Sequence, residues 1–156
     1  MLRSITGFHQ DEAGGWVAEL SCLHGQHIRH NPPFQNRPWV LTDAGRAEHT
    51  GTDIACTLCD RAELPGGLEV TRTAGPFDQE TIPPALRNDH VVGEGRWGCL
   101  RVLEGSIGFQ MATELPIERR LTAGDHQPIP PGVAHHLVVE GPAVVAVDFL
   151  VPAAAD

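Results

Sequence analysis
The residues with most to offer chemically are four cysteines and nine histidines in a chain of 156. Two short pairings stand out: Cys22-Leu-His24-Gly25, and Cys56-Thr-Leu-Cys59 further along. Zinc takes four thiolate or imidazole donors as a tetrahedron. Two donors spaced two or three apart on a tight turn both reach one ion, so two such turns complete a site. We therefore expect Cys22, His24, Cys56 and Cys59 to bind zinc, with His27 and His30 as alternative ligands beside the turn. A redox Cys-x-x-Cys would need a strand-helix-strand setting, and none is visible. Cys99 sits in an apolar run and reads as a buried small hydrophobe. A second singular residue is Asp148, which interrupts the otherwise apolar Ala143-Val-Val-Ala-Val-Asp-Phe-Leu-Val. A lone carboxylate there costs several kcal/mol unless it is paired, protonated or metal-bound. Arg101 or Arg96 would serve as an ionic partner.

The elements that must position these groups are short. Thirteen prolines and 17 glycines make turns frequent. Trp16–Cys22 alternates like a strand, the segment Leu23-His-Gly-Gln-His27 turns the chain, and His27–His30 returns, a hairpin with Gly25 at its tip. Thr42–Glu48 reads as a short helix capped by Thr42. Downstream come strand candidates Leu68–Thr73, Gly98–Leu103, Ser106–Met111, Glu118–Leu121, His136–Val139 and Ala143–Val151. They are separated by turns such as Glu104-Gly105 and Gly141-Pro142, a spacing that argues for an all-β sandwich or barrel. Only Gln79–Leu86 looks helical, limited by Pro83-Pro84. The polar, turn-rich stretch 61–66 reads as a linker between a module over 1–60 and a barrel over 67–156. A first piece of that size, poor in apolar residues, gains much of its folding energy from a metal staple.

Composition narrows the function classes. The net charge is -9 and every one of the eleven basic residues is Arg. An acidic surface repels phosphate backbones, so nucleic acid is not an expected partner. No apolar run approaches the ~20 residues of a membrane helix. No basic head with an apolar core and a cleavage site opens the chain, so a cytoplasmic location with reduced thiols is the expectation.

The stretch Gly124-Asp-His-Gln-Pro-Ile-Pro-Pro-Gly-Val-Ala-His135 fits G-x5-P-x-G-x2-H, the second motif of the cupins. Gly124 turns the chain, Pro130 ends a strand, and Gly132 permits the tight turn that aims His135 inward. The first cupin motif is partial: the run from His90 to Gly105 has one His, no His-x-His, and Gly98 where a late Glu would fall. Together with Thr73–Phe77, Asp89-His90, Gly95-Arg-Trp-Gly98, Val102-Leu-Glu-Gly105 and Val147-Asp-Phe149, residues 66–152 resemble the N-terminal cupin domain of tellurite-resistance methyltransferases and the small YeaR-type cupins. Ala134 replaces the usual aromatic before the motif histidine, which alters a pocket wall. No methyltransferase segment is evident, so that activity is not expected.

The resemblance implies that His90, His135 and Asp148 meet around one divalent ion, zinc or iron, manganese or nickel. Glu94, His126 and His136 are lesser candidates, His136 facing away from His135 by strand alternation. Residues 5–60, with Ile5-Thr-Gly-Phe-His-Gln-Asp-Glu, Trp16 through Pro33, Gln35-Asn-Arg-Pro-Trp and the Cys-x-x-Cys-Asp, resemble a small uncharacterised bacterial domain. The fold expected is mainly β: a zinc-ribbon-like module followed by a cupin jelly-roll barrel. The functions expected are a metal-binding protein for a small molecule or oxyanion in tellurite or nitrogen-oxide stress, a cupin dioxygenase or isomerase, or a zinc-held interaction module. A homodimer through edge strands is the assembly the barrel analogy implies.

Overall fold
A computed structural model describes residues 1–155 and shows a mainly β chain. It forms two compact units, divided between Thr57 and Leu58. No helix among the described residues is long and apolar enough to cross a membrane.

The first unit is a four-stranded sheet in the order β3-β2-β1-β4. Its strands are β1 (Leu2–Gln10), β2 (Trp16–Leu20), β3 (Gly25–His27) and β4 (Asp53–Ala55). The long β1 was not anticipated; its mixed polar composition hides the alternation by which only Ile5 is fully buried. The hairpin β2–β3 forms with Val17 opposite His27 and Glu19 opposite Gly25. Gly25 opens β3 rather than sitting at the tip, and the left-handed position of the turn falls to Leu23 at φ 71°. Helix α1 (Asp43–His49) is capped as expected, with the Thr42 hydroxyl accepting from the Gly45 amide at 3.1 Å.

The second unit is a six-stranded curled sheet. It contains β5 (Leu68–Asp78), β6 (Trp97–Met111), β7 (Ile117–Thr122), β8 (His126–Ile129), β9 (His135–Val138) and β10 (Ala143–Pro152). Strand β6 organises it. Its first half pairs with β8 and β10, its second half with β7 and β9, all antiparallel. The two strands expected around Glu104-Gly105 are thus one strand with a bend. Gly105 makes the bend at φ 70°, where a Cβ would lie 2.0 Å from the Pro142 carbonyl oxygen; only glycine fits such a site. Trp97, Leu100, Ile107, Phe109, Met111, Leu121 and Val145 fill the core. The expected helix over 79–86 is a single 3-10 turn, Pro84–Arg87. Pro83 and Pro84 lack the amides a longer helix would need.

Candidate metal centre and barrel pocket
Cys22, His24, Cys56 and Cys59 are buried, and one donor atom from each lies within 4.8 Å of every other. The turn after β2 delivers the first two. The Leu23 amide donates to the Leu20 carbonyl at 2.8 Å, and the Leu20 amide to the His24 carbonyl at 3.0 Å. Leu23 in the left-handed region reverses the chain between them, so residues two apart converge. Such a conformation costs a bulky residue about 1–2 kcal/mol and persists where surrounding structure over-determines it. Cys56 follows β4, its amide donating to the Met1 carbonyl at 2.7 Å. The helical turn α2 (Thr57–Asp60) then carries Cys59 round to the same point.

The spacing of the donors is itself diagnostic. A tetrahedron with Zn–S near ~2.3 Å and Zn–N near ~2.0 Å has edges of about 3.8 Å between sulfurs and about 3.5 Å between sulfur and nitrogen. Cys22 Sγ and Cys56 Sγ are 3.8 Å apart. His24 Nδ1 is 3.4 Å from Cys22 Sγ and 3.5 Å from Cys56 Sγ. Three cysteines and one imidazole are the donor set of a structural zinc site. His27 and His30 stand outside it: His27 Nε2 pairs with Asp11 at 2.9 Å, and His30 Nδ1 accepts from the Arg37 amide at 3.0 Å.

In the second unit His90 and His135 are neighbours. Each donates its backbone amide to the other's carbonyl, and the ring centroids are 4.1 Å apart. His135 Nδ1 lies 2.8 Å from the Val133 carbonyl and His90 Nδ1 lies 3.0 Å from the Asn88 carbonyl. A carbonyl only accepts, so both Nδ1 atoms carry a proton and both Nε2 atoms are left for another partner. Burial pushes the His135 imidazole down to about 4, and it is neutral at physiological pH. The Gly132 turn that sets His135 is as expected, with Gly132 at φ 74° donating to the Val92 carbonyl at 2.8 Å. The pair borders a cavity of about 130 Å³ whose other walls include Leu86, Val92, Leu100 and Phe149.

Asp148 does not join them, and the expected three-ligand set is corrected on this point. Val147 and Phe149 border the cavity, so the residue between them points to the opposite face of β10. There its carboxylate accepts from Arg101 Nε at 2.6 Å and Nη2 at 3.1 Å, and from the Thr73 hydroxyl at 2.7 Å. Arg101 foremost, with Thr73, holds the Asp148 carboxyl below the usual carboxylate range. Cys99 shares that face, and burial and then the Asp148 charge push its thiol up. Of the two arginines the sequence offers Asp148, Arg101 and Arg96, the pairing of β6 with β10 selects Arg101. His136 also faces away from the cavity and binds Asp89 at 2.7 Å. No third protein donor stands with His90 and His135 among the described residues.

A buried Cys/His cluster, together with a curled antiparallel sheet around an apolar cavity, defines a metal-binding, cupin-like protein. Residues 6–63 match a family described as a protein of unknown function, DUF3565, and residues 72–147 match the TehB-like domain. The chain thus carries a region similar to DUF3565 followed by a region similar to the TehB-like domain. No curated protein matches it. Among solved structures, a protein from E. coli (strain K12) is 19% identical with a TM-score of 0.53, covering 59% of this chain and 98% of that one. TehB from Haemophilus influenzae is 20% identical with a TM-score of 0.51, covering 56% of this chain and 32% of TehB. The match thus spans about a third of TehB. These likenesses establish the fold of the second unit.

Proposed function
We propose that this protein is a zinc-stapled cupin that binds a small molecule in its barrel. The observation that carries the first half is the set of tetrahedron-edge distances among Cys22, His24 and Cys56, with Cys59 buried beside them. The zinc there is structural: four protein donors leave no open position for chemistry.

The second half rests on the barrel cavity. It is apolar except for two imidazoles whose Nδ1 atoms are committed to backbone carbonyls and whose Nε2 atoms are not. A small ligand with an apolar body and a hydrogen-bond donor fits that lining. A divalent ion would take two donors, His90 and His135, and would polarise a ligand bound to its remaining positions. Asp148 is committed to Arg101, so the two-histidine-one-carboxylate set of an iron dioxygenase is lacking. That weighs against the metalloenzyme reading. A setting in tellurite or nitrogen-oxide stress, and a cytoplasmic location, rest on the sequence resemblance.

Elemental analysis of purified protein tests this reading. One zinc per chain that is lost in Cys56→Ser and kept in His135→Ala supports the staple. Metal beyond one per chain that disappears in His135→Ala places a second ion in the barrel. A barrel without saturable binding of any small molecule would leave a zinc-held interaction module instead.

A further inference from the structure
The first unit has a second feature that the cluster does not use: a cavity of about 370 Å³ bordered by the Asp11–Gly15 turn, by residues 27–31 and by Val40 and Leu41. Its lining combines two chemistries. Trp16, Val40 and Leu41 contribute apolar surface. The indole of Trp16 is held in place by the Arg46 guanidinium, 3.7 Å from its ring centroid. His27, Arg29 and His30 contribute nitrogen donors to the same lining.

The one carboxylate at the cavity is already satisfied. Asp11 Oδ1 accepts from the Ala13 and Gly15 amides at 2.9 and 2.7 Å, and Oδ2 from His27 Nε2 at 2.9 Å. Its charge is spread over three donors and is not left to repel an anion. His30 accepts the Arg37 amide at Nδ1, so in the neutral ring the proton sits on Nε2 and is free to donate. Arg29 makes no hydrogen bond or ion pair among the described residues, in a chain with 20 acidic residues against 11 basic ones. A guanidinium without a partner, next in sequence to an imidazole donor and lining the same cavity as an indole, is suited to a planar anion with an apolar body.

We infer that this cavity binds a small organic carboxylate, its anionic end on Arg29 and His30 and its apolar body against Trp16, Val40 and Leu41. The site lies apart from both the zinc staple and the barrel, and its failure would leave the metal reading intact.

The test is a titration of full-length, zinc-replete protein with benzoate, followed by two-dimensional amide and indole NMR. Saturable shifts confined to residues 11–16, 27–31 and 40–41 are expected, with a Kd on the order of 1 mM for so small a probe. Arg29→Ala should weaken binding by about tenfold or more, and Arg29→Lys by less, because lysine keeps the charge and loses the planar fork. Benzamide, the neutral analogue, should bind at least about tenfold more weakly. Arg29 is exposed and unpaired, so the variants keep their fold, which the unshifted signals of the remaining residues report. Absence of saturable benzoate shifts, equal binding of benzamide, or indifference to Arg29→Ala would overturn the inference. Inorganic phosphate binding as tightly as benzoate would also overturn it, since the apolar wall would then contribute nothing.

Discussion

Arg101→Met separates an ion-paired Asp148 from a metal-bound one. The substitution keeps the aliphatic stem packed on the sheet and removes two charge-assisted hydrogen bonds of 2.6 and 3.1 Å. The Asp148 side chain, 12% exposed, is left with only the Thr73 hydroxyl. Each lost bond to a charged group is worth about 1.5–3 kcal/mol before water replaces it. The Arg101 side chain is 41% exposed, so water and screening recover much of that sum. The expected loss is about 1–3 kcal/mol at pH 7, read by urea denaturation.

Its pH dependence is equally specific. The folded Asp148 carboxyl titrates below its unfolded value, so its stabilisation is complete above about pH 4 and disappears as pH falls through the lower folded value. The gap between wild type and variant should therefore be full at pH 7 and narrow below pH 4. Asp148→Asn should lose stability while keeping every metal ion. A variant within about 0.5 kcal/mol of wild type, a gap unchanged in acid, or metal lost from Asp148→Asn would refute the reasoning.

Two further outcomes follow from the barrel. Gly105→Ala forces a Cβ against the Pro142 carbonyl in a left-handed conformation; a loss above about 2 kcal/mol is expected by calorimetry, more than the usual cost at an unobstructed position. The His135 imidazole titrates near 4 when folded and near 6.5 when unfolded. Its contribution in metal-free protein is thus complete above pH 6.5 and is lost as pH falls towards 4, by roughly 3 kcal/mol at most. His135→Gln should flatten that segment of the stability profile measured by urea titration.

The parts of this structure legible in the sequence are those fixed by local spacing. Cys22-x-His24 and Cys56-x-x-Cys59 each need only one tight turn to aim their donors. The turn at Gly132 and the cap at Thr42 are likewise written within a few residues. What escaped depends on pairings across the chain. Asp148 is anomalous inside an apolar strand and Arg101 is one of two arginines the sequence offers it, but the choice between them is set by the register of β6 against β10, which puts Cys99 opposite Asp148 and Arg101 two residues on. The continuity of β6 through Gly105 is settled by the Pro142 backbone packing against it, not by the Glu-Gly pair that reads locally as a turn. Asp11 and His27 meet because β2 brings both its neighbours, the Asp11–Gly15 turn and β3, to one end of the sheet. Neither residue has a spacing that announces it.

The most direct test of the central claim is zinc X-ray absorption on the purified full-length protein. The account predicts a first shell of three sulfurs near ~2.3 Å and one nitrogen near ~2.0 Å, reduced in sulfur count or abolished in Cys56→Ser. A shell of nitrogen and oxygen alone, or a purified protein that folds with its four residues Cys22, His24, Cys56 and Cys59 free of metal, would contradict it.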